Sequence, residues 1–182
     1  ATVPVKAVFQ NTPSGFDSSD VTISPATLEI AGPEDTMASL KTIELPAIDF
    51  AEVNPDHNVF DLKVELPIGC RNLSNASTVT VTVNLSGFSQ KTFSVTKDQF
   101  SCINVPAGKN PTVLSDKVDV VVVGPKDQIE ALNEDKITGT VDFENRDTGH
   151  KEMKVTFLIK DATSCWAYGQ YTVSVDVKDT SG

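Results

Sequence analysis

Apolar and polar residues alternate along most of this chain, which is the two-residue period of strands with one buried face. Val3, Val5, Ala7 and Phe9 share one parity, as do Leu62, Val64 and Leu66. Thr78-Val79-Thr80-Val81-Thr82-Val83 and the run from Tyr171 to Val177 are strict alternations rich in β-branched side chains, which suit a pleated, half-buried surface. Val118 to Val123 is almost continuously apolar, which predicts a strand covered on both faces. The pattern breaks at Gly32-Pro33 and again at Gly124-Pro125. There a glycine ends a strand and the proline suits the first position of a helix, with Asp127 at the positive end of the dipole. Ile129 and Leu132, three apart, are expected to face a sheet, with Met37 and Leu40 doing the same in the first half.

These signals come twice, in one order. Asn11-Thr12-Pro13-Ser14-Gly15 returns as Asn104-Val105-Pro106-Ala107-Gly108 at an offset of 93, and Gly32-Pro33 returns as Gly124-Pro125 at 92. Asp49-Phe50 and His57 return as Asp142-Phe143 and His150 at 93, and Val79, Val81 and Val83 return as Val173, Val175 and Val177 at 94. The drift matches single-residue loop insertions. Two repeats follow, 1–88 and 89–182, each β-rich with one short helix, and each close to the smallest size that sustains a core. Each is expected to fold on its own.

Charge narrows the partners. Fifteen basic and 25 acidic residues leave a net charge of −10 and a pI near 4.5. That balance repels phosphate backbones and anionic lipid and argues against nucleic acid or a membrane surface as partner. Residues 1–88 hold 4 basic and 11 acidic side chains (−7), and residues 89–182 hold 11 and 14 (−3). An acidic contact surface on the first repeat and ordinary solubility are the two readings. No apolar stretch approaches the roughly 20 residues of a membrane helix. No signal peptide precedes Ala1, so a mature product or an excised ectodomain is expected.

The search for chemistry yields no catalytic, cofactor-binding or metal-ligating residue. His57 and His150 each follow an aspartate (Asp49, Asp142) by eight residues, as a proton relay would need, but both lie in polar turn-rich loops with no nucleophile motif beside them. Asp56, Asp61 and Glu65, or Glu144, Asp147 and Glu152, lack the spacing of a calcium loop. Two histidines and three cysteines are too few for a zinc site at standard spacings. Cys102 aligns with Phe9 and is expected in the core; Cys70 and Cys165 occupy equivalent places in separate repeats. All three are expected to be free thiols, with a Cys102–Cys165 bridge as the alternative. Trp166, Tyr168 and Tyr171 form an aromatic concentration that the first repeat lacks, read either as a contact hot spot or as core. Asn72, Asn75 and Asn84 stand in Asn-x-Ser sequons, which matter only in a eukaryotic secretory pathway.

The order Asn-x-Pro-x-Gly, valine-rich strand, Gly-Pro, short helix, Val/Ile-Asp-Phe and a closing alternating-valine strand resembles the YbbR-like domain, in two tandem copies spanning the chain. Val120-Val121-Val122-Val123-Gly124-Pro125, Val141-Asp142-Phe143 and Cys165-Trp166-Ala167-Tyr168-Gly169-Gln170-Tyr171 make the second copy the nearer match. The resemblance implies a mainly β fold of two small, twisted, barrel-like domains, each with one short helix. It implies location on the outer face of the cytoplasmic membrane of Gram-positive bacteria, behind a membrane helix absent from this chain. It also implies contact with, and regulation of, a membrane diadenylate cyclase that makes cyclic di-AMP, without cofactor or catalytic residues. A distant likeness to a ribosomal protein domain suggests RNA binding, which the net charge opposes. The rival readings are a structural spacer or adhesion repeat of a cell-surface protein and, third, a hydrolase.

Overall fold

The computed structural model describes residues 1–143 and 149–179. The chain is mainly β, its sheets curling into a half-barrel and a nearly closed barrel, with two six-residue helices, Glu34–Ser39 and Lys126–Ala131. It divides into two compact units, one formed by Ala1–Thr12 and Phe16–Ser86, the other by Pro13–Gly15 and Gly87–Gly182.

In the first unit Thr2–Lys6 pairs antiparallel with Thr27–Ala31 and parallel with Ile43–Glu44, and Arg71–Asn72 closes the far side of that sheet. Thr78–Val83 lies between Val21–Ser24 and Val59–Lys63 in a second sheet, and Phe9–Gln10 pairs with Ile48–Asp49 in a third. The alternations act as their period requires: Val79, Val81 and Val83 are buried while Thr78, Thr80 and Thr82 turn outward. Phe9, Phe16 and Phe50 stack edge-on or tilted with centroids 4.9–5.5 Å apart, and Phe50, Leu28, Ile30 and Val53 are all fully buried. The Leu62–Val64–Leu66 alternation outruns its strand, which ends at Lys63.

In the second unit Lys117–Pro125 lies between Phe88–Thr96 and Trp166–Tyr168. A five-stranded sheet runs Phe100–Ile103, Ile137–Asp142, Gly149–Ile159, Tyr171–Asp179, Lys109–Val113. One core gathers Phe93, Val95, Val120, Val122, Ile129 and Ile137. Another gathers Val141, Phe143, Met153, Val155, Val173, Val175 and Val177.

Two local expectations are corrected. Lys117–Pro125 is not covered on both faces throughout: Asp119 is exposed and Val118 and Val121 are half-buried, so double cover is confined to the end at Val123. Pro33 and Pro125 are not the first helical residues but the caps before them, with φ −56° and −53° and extended ψ of 143° and 138°. The second helix buries Ile129 and Leu132 as expected; the first leaves Met37 and Leu40 half-buried.

The duplication extends to backbone detail. Asn11 and Asn104 both hold the left-handed conformation (φ 55° and 53°), which asparagine tolerates better than most residues. Each donates its side-chain amide to an aspartate on the parallel neighbour strand, Asn11 to Asp49 at 2.9 Å and Asn104 to Asp142 at 3.0 Å.

Candidate functional site

The histidine relay does not assemble in the first unit. Asp49 accepts from Asn11 and, at 2.9 Å, from the N–H of Ala51, whose short 3₁₀ turn it caps. His57 is exposed, sits 2.9 Å from the Glu52 carbonyl through Nδ1, and stacks 4.9 Å from Phe60. It closes the tight turn Asn54–His57, whose two main-chain hydrogen bonds measure 3.2 and 2.9 Å. Both groups thus serve local backbone. The side chain of His150 lies outside the described residues, as do Glu144 and Asp147. Asp61 accepts from Thr80 Oγ1 at 2.6 Å, and among the described residues no three His, Cys, Asp or Glu gather as metal ligands would.

The cysteines are free thiols. Cys102 is half-buried against the Val141–Phe143 core, and burial raises its pKa. Cys165 is buried; desolvation, with Asp127 adding to it, pushes its thiol up to about 11. Sequence reading missed what Cys70 and Cys165 pack against. A Cβ on Gly124 would lie 2.2 Å from Cys165 Sγ, and one on Gly32 2.7 Å from Cys70 Sγ. Each cysteine ends a similar tight turn, Cys70 N–H donating to Pro67 O at 3.0 Å and Cys165 N–H to Ala162 O at 3.2 Å. The signal was present, since both Gly-Pro and cysteine repeat.

The aromatic segment is core, and its reading as a contact surface is corrected. Trp166 is 5% exposed, opposite Val123 in the sheet and 5.8 Å from the Phe88 ring. Tyr171 donates its hydroxyl to the Tyr168 carbonyl, accepts from Val121 N–H at 3.0 Å, and packs edge-on against Phe157. With ring and hydroxyl both engaged within the unit, little is left to offer a partner.

Exposed features lie elsewhere. Ile68 is fully exposed at the tip of the Pro67–Cys70 turn. Beside that turn the first unit carries an open depression of about 480 Å³, lined by Lys41, Ile43, Glu44, Glu65, Leu66 and Pro67 among others. The equivalent place in the second unit is closed by strand pairing, with Ile137 opposite Ile159 and Gly139 opposite Phe157.

Against known proteins, residues 3–83 match the family described as YbbR-like protein. The first unit is a YbbR-like domain. A YbbR-like domain from Listeria monocytogenes is 16% identical, covering 52% of this chain and 97% of its own, with a TM-score of 0.40. A YbbR-like protein from Streptococcus pneumoniae is 14% identical, covering 98% of this chain and 94% of its own, with a TM-score of 0.35. No curated protein matches the chain. Among the described residues, no helix is long and apolar enough to cross a membrane.

Proposed function

We propose that the chain is a tandem YbbR-like module without catalytic activity, held on the extracytoplasmic side of the cell membrane, which regulates a membrane diadenylate cyclase by protein–protein contact. The observation that carries this reading is the family match over residues 3–83. The doubled Asn–Asp and Gly–Cys pairs support extending it to the second unit. The absence of phosphate-cradling glycine loops and the net charge of −10 favour a protein partner over a nucleotide or nucleic acid. Co-expression of the full-length protein with a membrane diadenylate cyclase from the same organism tests the reading. Deleting both units should change cyclic di-AMP output. Unchanged output would favour a spacer on the cell surface instead.

A further inference from the structure

The first unit is an interrupted version of the second. Matched by their alternation of buried and exposed positions, Ile43, Glu44 and Leu45 correspond to Ile137, Thr138 and Gly139, and Glu65 to Leu158, which lies opposite Thr138. In the second unit these residues lie in paired strands, Ile137–Asp142 running against Gly149–Ile159 from Ile137↔Ile159 to Val141↔Val155. In the first unit Ile43–Glu44 pairs only with Thr2–Lys6, and Val59–Lys63 only with Thr78–Val83. The cause lies in the residues. Pro46 has no N–H to donate, and Glu44 and Glu65 would bring two like charges together across a closed ladder.

Both rims of the seam therefore keep unused main-chain groups. Leu45 N–H donates to Lys6 O at 3.0 Å, so the alternation of an extended chain turns the N–H and C=O of Glu44 away from that sheet. Val64 N–H donates to Ser77 O at 3.2 Å, so those of Glu65 turn away from Thr78–Val83. Glu44 and Glu65 line the same open depression, together with Lys41, Ile43, Leu66 and Pro67. We infer that this seam of the first unit receives an extended segment of a partner protein as an added strand, and that the segment carries basic side chains. Strand addition supplies main-chain hydrogen bonds; Glu44 and Glu65 against the single Lys41 leave the lining acidic, in a repeat of net charge −7, and this balance selects the sign. This rests on the reading of the chain as a protein-binding module and assigns the place and chemistry of contact.

The test uses the ¹⁵N-labelled 182-residue chain and a capped hexapeptide, Val-Lys-Val-Lys-Val-Lys, with a glutamate counterpart and a proline-interrupted version as controls. The lysine peptide should shift the amides of Thr42, Glu44, Lys63 and Glu65 and slow hydrogen exchange at Glu44 and Glu65, and neither control should. Glu44→Lys combined with Glu65→Lys should weaken the response about tenfold with an unchanged melting temperature, because both side chains are exposed. The inference is overturned if the shifts scatter over the acidic surface, if the proline peptide acts equally, or if the chain self-associates through these same amides. Its failure is separable from that of the regulatory reading. Cyclic di-AMP output that depends on the units while the peptide leaves the seam untouched sinks only the seam; seam binding with output indifferent to deletion sinks only the regulation.

Discussion

Gly124 and Cys165 lie so close that the glycine's missing Cβ would stand 2.2 Å from the cysteine sulfur, and Gly32 and Cys70 repeat the relationship at 2.7 Å. The sulfur of a loop turn thus fills the place that a side chain at the strand end would occupy. The pair locks the turn before Trp166–Tyr168 onto the end of Lys117–Pro125.

Gly124→Ala should therefore destabilise the second unit by about 1–3 kcal/mol through overpacking. Gly32→Ala should cost less, since Cys70 is only half-buried and its sulfur has room to give. Urea denaturation of each variant measures both. Adding Cys165→Ala to Gly124→Ala should recover part of the loss, because the closest atom is removed; no recovery would mean the clash is not with sulfur.

The thiol of Cys165 gives a pH dependence with a defined sign. Its folded pKa is raised from the usual 9 to about 11, so the protonated form is favoured in the native state. The associated stability is fully present below the unfolded pKa and is lost as pH rises through the folded one. The second unit should weaken between about pH 9 and 11, and Cys165→Ala should flatten that decline. Thiol alkylation near pH 8 should label Cys165 last, and rapid native labelling would contradict its burial.

Asn104→Ala removes the amide that Asp142 accepts and puts a Cβ-bearing residue without local hydrogen bonding at φ 53°. A loss of about 1–3 kcal/mol is expected. Asn104→Gly should lose less, since glycine takes that conformation freely. The pair of variants, compared by thermal or urea unfolding, separates backbone strain from the hydrogen bond. Asn11 should give the same ranking in the first unit.

Trp166→Ala should cost about 3–5 kcal/mol, as for other large buried aromatics. Because the chain holds one tryptophan, its fluorescence reports on the second unit alone. Emission should be that of a shielded indole and move to the red only with the unfolding transition of that unit. A red-shifted native spectrum would restore the surface reading.

The strands were legible because burial on one face writes itself as alternation, and Thr78–Val83 follows the pattern residue by residue. The helices are legible from Gly-Pro, although each begins one residue after its proline, since a proline satisfies the cap as readily as the first turn. What alternation cannot say is which strand lies alongside which. Pro46 is a local sign that the ladder at Glu44 and Glu65 is missing, but it does not say which strand would have paired there. Trp166 was ambiguous for a related reason: a large amphipathic ring suits an interface and a core equally, and only the position of Phe88 decides. The pairing of Gly124 with Cys165 joins residues 41 apart, beyond any local period.

In each unit the last strand in sequence is an inner one. Thr78–Val83 stands between Val21–Ser24 and Val59–Lys63, and Tyr171–Asp179 stands between Gly149–Ile159 and Lys109–Val113. A nascent chain therefore cannot assemble either sheet from one edge to the other as it emerges. The earlier strands must wait, with apolar faces open, until the closing one clears the ribosome, and the first unit can complete itself while the second is still being made.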